Sequence, residues 1–255
     1  MLRYECRDRV ATLTIDDPER HNPIDLMTMA ELTRRVTDAA ADPEIGVIVI
    51  TGAGDKAFSA GGDLGGRFVD SPLADHHARG VLADLFRALR RCGKPVLARV
   101  NGHALAGGFG LAAACDIVIA VDDATFGTPE IKVGLWPMMV TAVLQRLIPR
   151  RVAFELMATG RRIDADEALH IGVVSRVVAR DGLDAAVNET VAALLALSPA
   201  VLAMGKDTFN AAEDMAFDTA LDYLHTGLTA VAMTDDAVEG VSSFLEKRSP
   251  EWRGR

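Results

Sequence analysis

Two glycine-rich segments and one glutamate are the residues of this sequence best suited to chemistry. The first segment is SAGGDLGG at residues 59–66, the second is AGGFG at residues 106–110, and Glu130 lies in the sequence TPEI. Glycine lets a substrate approach backbone N–H groups closely because it has no Cβ. Two such N–H groups stabilise charge on a carbonyl oxygen, and the positive end of a short helix beginning near Gly107 adds to that effect. Together the two segments indicate a site for an oxyanion or enolate.

Other interpretations of the glycines compete with this one, the simplest being that they only form tight turns. Residues 108–113 satisfy the GxGxxA pattern of dinucleotide-binding loops, but only about five helical residues fit before Asp116, where a crossover needs roughly a dozen. Residues 57–61 nearly match the GxSxG pattern of serine hydrolases, but seven residues separate Ser59 from Thr51, where the preceding strand ends. That pattern requires the serine on a sharp turn directly after a strand. An oxyanion site therefore explains both segments better than a dinucleotide loop or a serine-hydrolase turn does, and simple tight turns stay an alternative.

Alternating strand and helix patterns precede and connect these segments. Strand patterns cover residues 9–15, 45–51, 94–100 and 116–121, and helical patterns cover residues 25–41 and 73–92. Beyond about residue 138 helical patterns dominate, over 138–148 and 151–159, from Asp164 and from Ser198, with one strand at 172–178. This order predicts an α/β core over residues 1–195, followed by a helical region over residues 196–255 that belongs to the same functional unit.

Composition argues against several classes of protein. The net charge of −9 opposes nucleic-acid binding, which needs positive charge for the phosphates. Three scattered cysteines, Cys6, Cys92 and Cys115, form no CxxC pair, which disfavours a disulfide framework or a zinc site and fits a reducing compartment. The longest apolar stretch, residues 96–121, is interrupted by charged and polar residues, and the first residues lack the apolar core of a signal peptide. We therefore expect a cytoplasmic protein that binds no nucleic acid, membrane or metal.

Five segments, in order and at matching spacing, resemble the crotonase, or enoyl-CoA hydratase/isomerase, superfamily. They are residues 17–25, 47–64, 94–120, 124–137 and 159–178. The resemblance implies an α/β fold, a crotonase-like spiral of ββα units with a helical C-terminal region. That region, residues 196–255, would drive assembly into a homotrimer or a dimer of trimers. The resemblance also implies acyl-CoA thioester substrates and no cofactor except the coenzyme A of the substrate itself.

The site residues of the family carry over by position. The two oxyanion donors fall on Gly62 and Gly107. The acyl-CoA path would be lined by Ala60, Gly62, Asp63, Leu64, Gly65, Gly107 and Trp136. For Trp136, a place in the ordinary core is an equal alternative. Asn22 matches a shared asparagine, and Asp116 matches an aspartate that we interpret as structural. We interpret His103 as a packed, hydrogen-bonded histidine.

The carboxylates decide which reaction the resemblance implies. Hydratases of the family use two glutamates, of which the second matches Glu130 and the first matches Gly110, a residue without a side chain. One carboxylate suffices to move a double bond from the 3 to the 2 position, so the sequence favours isomerisation with Glu130 as the single acid/base. Hydration of 2-enoyl-CoA, with a substitute such as a group from the loop at residues 67–79, is an alternative. A non-catalytic acyl-CoA-binding protein, with Glu130 as a surface carboxylate, is another.

Overall fold

A six-stranded sheet forms the centre of the computed structural model, which describes residues 1–62 and 76–255. Its strands are β1 (Leu2–Arg7), β2 (Val10–Ile15), β3 (Val47–Gly52), β5 (Val96–Val100), β7 (Ile117–Val121) and β10 (Arg176–Val178). They lie side by side in that order, antiparallel between β1 and β2 and parallel elsewhere. Every residue of β3 is buried, as its continuous β-branched run predicts for a strand covered on both faces.

A second sheet of four short strands lies beside the first. Its strands, in spatial order, are β4 (Ala57–Ser59), β6 (His103–Leu105), β8 (Thr125–Gly127) and β9 (Arg162–Asp164). The strands β4, β6 and β8 run parallel, and β9 is antiparallel to β8. None of the four was predicted, because three residues are too few to show an alternating pattern. The carboxyl ends of the three parallel strands lie at one edge of this sheet, where ligands commonly bind in α/β folds.

The helices of the first half pack against the sheets. They are α1 (Leu26–Ala41), α2 (His76–Arg79), α3 (Val81–Arg91) and α4 (Gly107–Ala113). The side chain of Asp25 caps α1 by accepting a hydrogen bond from the Thr28 N–H at 2.7 Å. The prediction of a single helix over residues 73–92 is wrong, because two helices form there and Gly80 separates α2 from α3. Residues 73–75 lie outside the described residues. The predicted short helix near Gly107 is α4.

Helices dominate the second half, as predicted. They are α5 (Met138–Leu147), α6 (Arg150–Thr159), α7 (Ala165–His170), α8 (Leu183–Leu195), α9 (Pro199–Ala212), α10 (Phe217–Ala232) and α11 (Asp235–Glu246). The side chain of Asp164 caps α7 and that of Ser198 caps α9, which confirms both predicted starts. The strand predicted over residues 172–178 forms only at its end, as β10.

Apolar side chains from both sheets and from α1, α3, α4, α5 and α6 form one continuous buried core. Among the described residues no single helix has the length and apolar character needed to cross a membrane. The pair formed by Arg180–Leu195 and Pro199–Ala212, bent by 102°, reaches that length and character only together.

Candidate active site

The candidate residues follow the carboxyl ends of three neighbouring parallel strands. Gly62 comes shortly after β4, Gly107 after β6 and Glu130 after β8. The Ala106 N–H donates a hydrogen bond to the Gly127 carbonyl oxygen at 2.8 Å, which joins the ends of β6 and β8. The second sheet therefore brings to one edge the three segments that the sequence analysis singled out.

The peptide between Gly61 and Gly62 is held from one side by the segment before α1. The Gly61 carbonyl oxygen accepts a hydrogen bond from the Ile24 N–H at 2.8 Å, and the neighbouring Ala60 N–H donates to the His21 carbonyl oxygen at 2.9 Å. A trans peptide is planar, so its N–H points opposite to its C=O. The Gly62 N–H is therefore directed away from Ile24.

The peptide between Ala106 and Gly107 is fixed in the same manner. The Ala106 carbonyl oxygen accepts from the Gly110 N–H at 3.1 Å, so the Gly107 N–H points away from the body of α4. Ala106 has φ 51° and ψ −126°, a conformation that L residues rarely adopt. Such backbone strain costs about 1–3 kcal/mol and is found preferentially at functional sites. Here it turns the chain from β6 into α4 so that Gly107 begins the helix.

The two N–H groups lie beside each other. A Cβ on Gly61 would lie 3.1 Å from the Gly107 nitrogen, and a Cβ on Gly107 would lie 3.8 Å from the Gly62 nitrogen. Among the described residues, none accepts a hydrogen bond from either N–H. Two adjacent, oriented donors without a protein acceptor are what an oxyanion site requires.

Glu130 lies in a 3-10 helix (Pro129–Val133) and is half-buried. Its Oε2 atom is the one buried side-chain nitrogen or oxygen, in residues 1–62 and 76–255, that lacks a hydrogen-bond partner. Burial raises the pKa of Glu130, and a hydrogen bond from its own backbone N–H offsets part of that rise. A buried carboxylate oxygen without a partner and with a raised pKa is suited to take and return protons. A fully solvated surface carboxylate would have neither property.

Gly110 is fully enclosed by side chains from two other helices. A Cβ at this position would lie 2.7 Å from Cγ2 of Val140 on α5 and 2.9 Å from Cζ of Phe86 on α3. Both distances are shorter than real Cβ contacts. A side chain at Gly110, a glutamate included, would therefore fit only if Val140 or Phe86 moved.

Two further residues have the structural contacts that we predicted. The Asp116 Oδ2 atom accepts a hydrogen bond from the Val96 N–H at 2.7 Å and forms an ion pair of 2.7 Å with the Lys206 Nζ. The Nδ1 atom of His103 shares a hydrogen bond of 2.9 Å with the Thr125 hydroxyl. Both residues join neighbouring elements of the fold.

Two buried asparagines support the loop that leads to Gly61, and only one of them was noticed in the sequence. The Asn22 amide donates to the carbonyl oxygens of Ala53 at 2.9 Å and Ala57 at 2.7 Å. The Asn101 amide donates to the Gly54 carbonyl oxygen at 2.8 Å. In the sequence, Asn followed by Pro or Gly is an ordinary turn signal, so nothing in it distinguished Asn101.

The remaining predicted residues are placed less completely. The Trp136 indole N–H donates to the Thr141 hydroxyl at 3.0 Å, and its ring packs against Phe154 with centroids 5.9 Å apart. These contacts fix the ring, and its role in acyl binding stays a prediction. Asp63, Leu64 and Gly65, and residues 67–75 of the loop considered as a substitute acid, lie outside the described residues. Within the described part of the chain, no three His, Cys, Asp or Glu side chains are grouped as metal ligands would be.

The whole chain is similar to known proteins of one family. The model of the family described as "Enoyl-CoA hydratase/isomerase" matches residues 5–255. The carnitinyl-CoA dehydratase of Citrobacter koseri is 37% identical over 262 residues, covering 100% of this chain and 98% of the relative. That of Escherichia coli K12 is 36% identical over 254 residues, covering 96% of this chain and 95% of the relative.

Solved structures of related proteins are also similar to this chain, in fold and in sequence. An enoyl-CoA hydratase from Mycobacterium smegmatis superposes with a TM-score of 0.94 at 36% identity, covering 98% of each chain. Human enoyl coenzyme A hydratase domain-containing protein 3 superposes with a TM-score of 0.94 at 30% identity, covering 98% of this chain and 99% of that one. These likenesses confirm the predicted fold class.

Proposed function

The chain belongs to the enoyl-CoA hydratase/isomerase family, and from that premise we propose that it isomerises 3-enoyl-CoA thioesters to 2-enoyl-CoA. The Gly62 and Gly107 N–H groups bind the thioester oxygen, and Glu130 is the single acid/base. The adjacency of the two N–H groups and the buried Oε2 of Glu130 support these roles. Ala60, Asp63, Leu64, Gly65 and Trp136 would line the path of the acyl-CoA.

The proposed reaction moves one proton and one double bond. The Glu130 carboxylate removes a proton from C2 of the 3-enoyl thioester, and the electron pair of that C–H bond delocalises onto the thioester oxygen. The resulting dienolate is stabilised by the N–H groups of Gly62 and Gly107, each worth about 2.7–4 kcal/mol in comparable sites. Protonated Glu130 then returns the proton to C4, which converts the C3=C4 double bond to C2=C3. No other reactant is consumed.

The absence of room at Gly110 is the observation that carries the isomerisation. Hydration benefits from a second carboxylate that takes a proton from the attacking water, and general acid/base groups contribute about 10²–10⁴ in rate. Val140 and Phe86 occupy the space that such a side chain would need at this position. Isomerisation requires one proton shuttle only, and Glu130 supplies it.

Dehydration of a 3-hydroxyacyl-CoA is a second candidate, favoured by the names of the relatives. Carnitinyl-CoA dehydratases match nearly the whole chain at 36–37% identity. A single carboxylate could take the C2 proton and pass it to the hydroxyl that leaves from C3 as water. This route uses the same oxyanion donors and the same Glu130.

The test offers purified protein 3-enoyl-CoA, 2-enoyl-CoA and 3-hydroxyacyl-CoA in parallel and identifies the products. We expect conversion of 3-enoyl-CoA to 2-enoyl-CoA, reduced about 10²–10⁴-fold by Glu130→Gln. The matched control is Glu44→Gln, since Glu44 is exposed and remote in sequence from the site segments. Formation of 2-enoyl-CoA from the hydroxy compound without double-bond migration would favour the dehydratase. Tight binding of acyl-CoA without turnover would favour a binding protein.

We further propose that residues 196–255 form the subunit contacts of a homotrimer or a dimer of trimers. Large apolar side chains on α9–α11 and on the turn after α10 are exposed in the single chain by between 66% and 81% of their surface, among them Phe209, Phe217, Leu228, Met233 and Phe244. Exposed apolar surface of this extent marks an interaction site. Light scattering of the purified protein measures the assembly.

We propose also that the reaction needs no cofactor beyond the coenzyme A of its substrate. We propose that the protein is cytoplasmic, consistent with its three free cysteines.

A further inference from the structure

A line of apolar contacts runs along the glycine face of α4, which we define as Gly107 and Gly110. These glycines are three residues apart and therefore lie on one side of the helix. Leu82 and Phe86, four residues apart on α3, lie opposite them. A Cβ on Gly107 would lie 3.7 Å from Cδ2 of Leu82, and a Cβ on Gly110 would lie 2.9 Å from Cζ of Phe86. The glycine face thus contains both the proposed oxyanion donor, Gly107, and the position that matches the hydratase glutamate, Gly110.

Val140 closes this face from α5. Its side chain is buried, 2% exposed, and its Cγ2 lies 2.7 Å from where a Cβ of Gly110 would be. A valine side chain has few rotamers, so it cannot readily move aside. Phe86 is different, because its ring tip is the end of a longer side chain. Val140 is therefore the rigid part of the barrier and Phe86 the adjustable part.

We propose that Phe86 and Val140 are specificity-determining residues that keep water and a second acid away from the substrate carbon β to the thioester. This inference rests on the proposed function, since it requires an acyl-CoA bound between Gly62, Gly107 and Glu130. Hydration forms a C–O bond at C3 and a C–H bond at C2, and the attacking water gives up one proton, which a second carboxylate would accept while Glu130 protonates C2. Two hydrocarbon side chains offer that water no hydrogen bond. The dienolate then reacts only by protonation from Glu130.

The helices that bear this apolar barrier are held together at one point. Arg90 on α3 and Arg146 on α5 both pair with Glu213, which follows α9, with nitrogen–oxygen distances of 2.6 and 3.8 Å. The Asn210 amide also donates to the Arg90 carbonyl oxygen at 2.9 Å. These contacts link α3 and α5, the two helices that bear Phe86 and Val140.

The test rebuilds the missing acid. Gly110→Glu combined with Val140→Ala removes the Cγ2 that blocks the site, while the Phe86 ring tip can shift. We expect this double variant to hydrate 2-enoyl-CoA at least about 10²-fold faster than the wild type, the lower end of general acid/base contributions. The new carboxylate would take a proton from water, whose oxygen bonds to C3, and Glu130 would protonate C2. Gly110→Gln with Val140→Ala is the matched control, with the same size but no base.

Hydration by the Glu double variant no faster than by the Gln double variant, at equal melting temperatures, would overturn the inference. So would a wild type that hydrates 2-enoyl-CoA as fast as it isomerises 3-enoyl-CoA. Val140→Ala alone provides a second measurement that needs no new charge. It should raise the ratio of 3-hydroxyacyl-CoA to isomerised product, and an unchanged ratio would count against the barrier. Failure of the proposed function is distinguishable, because the wild type would then not convert 3-enoyl-CoA to 2-enoyl-CoA, whereas failure of this inference alone leaves that isomerisation intact.

Discussion

Gly107→Ala separates the fold from the proposed oxyanion site. The new Cβ would lie 3.4 Å from Cδ1 of Ile24 and 3.7 Å from Cδ2 of Leu82, which the neighbours can accommodate with little movement. The φ of Gly107 lies outside the left-handed region, so alanine adopts this backbone without strain. We therefore expect the variant to fold. Its methyl group would nevertheless lie 3.8 Å from the Gly62 nitrogen, in the space where the thioester oxygen must bind.

Alanine keeps the backbone N–H of residue 107, but its methyl group would hold the thioester oxygen away from the two donors, so we expect a loss comparable to that of one oxyanion donor. Removing such a donor costs about 2.7–4 kcal/mol, so kcat on 3-enoyl-CoA should fall about 10²–10³-fold. The melting temperature should not fall, because replacing glycine by alanine at a compatible position stabilises by about 0.4–1 kcal/mol. The matched control is Gly205→Ala within α9, where a Cβ meets no described atom within 4 Å, and its kcat should equal that of the wild type.

Stopped-flow or spectrophotometric kinetics on 3-enoyl-CoA, together with thermal melting, would measure both quantities. A Gly107→Ala protein that melts like the wild type and keeps its kcat would refute the placement of the oxyanion between these donors. An equal loss of kcat in Gly205→Ala would show that the effect is not local to the site.

Three other predictions follow from the contacts and the pKa of the site and its supports. Burial raises the pKa of Glu130 above the ordinary 4.5. As the pH is lowered, kcat/KM should therefore begin to fall at a higher pH than it would with an exposed glutamate as the base. Because the pKa of Glu130 is higher in the folded state than in the unfolded state, its destabilising effect begins as the pH rises above the ordinary value of 4.5 and is complete above the folded-state pKa. Glu130→Gln should therefore melt higher than the wild type near neutral pH and equally at pH below 4.5, which thermal melts across pH measure. Asp116→Ala leaves Lys206, 8% exposed at its side chain, without its 2.7 Å ion-pair partner. Because Asp116 is exposed and Lys206 keeps its hydrogen bond to the Lys94 carbonyl oxygen, denaturant unfolding should show a loss of about 1–3 kcal/mol with kcat of the folded protein unchanged; a loss of kcat would indicate a catalytic aspartate instead. Asn22→Asp replaces the amide that donates to two carbonyl oxygens by a carboxylate, which cannot donate to them. Denaturant unfolding should show a loss of about 1–3 kcal/mol, and kcat should fall because the loop that leads to Gly61 loses its support. Unchanged stability would contradict the supporting role of Asn22.

The long elements could be predicted from the sequence because their patterns are strong. The apolar spacing of α1 and the continuous β-branched run of β3 each determine one secondary structure and one degree of burial. Caps at Asp164 and Ser198 fixed the starts of two helices. The edge strand β1 was missed, although apolar and charged residues alternate in it, because most of its side chains are exposed and the signal resembles a solvated terminus.

The residues of the candidate site were predicted from the resemblance, whereas the geometry that brings them together could not be predicted from the sequence. Gly62, Gly107 and Glu130 were identified by resemblance, but the strands that bring them to one edge have three residues each and carry no periodic signal. The strained Ala106 and the enclosure of Gly110 by Val140 and Phe86 depend on tertiary packing between distant parts of the chain. The resemblance predicts that a hydratase glutamate is absent at residue 110, and the packing places atoms of Val140 and Phe86 within 2.7 and 2.9 Å of where its Cβ would lie.

The most direct test of the single-carboxylate mechanism follows the transferred proton. A 3-enoyl-CoA with deuterium at both C2 positions would be converted in ordinary water, and the position of deuterium in the 2-enoyl-CoA product would be measured by NMR and mass spectrometry. If Glu130 alone moves the proton, its buried Oε2 should carry deuterium from C2 to C4, and a substantial fraction of the product should be labelled at C4. Product that contains only solvent hydrogen at C4 from the earliest turnovers would contradict the mechanism.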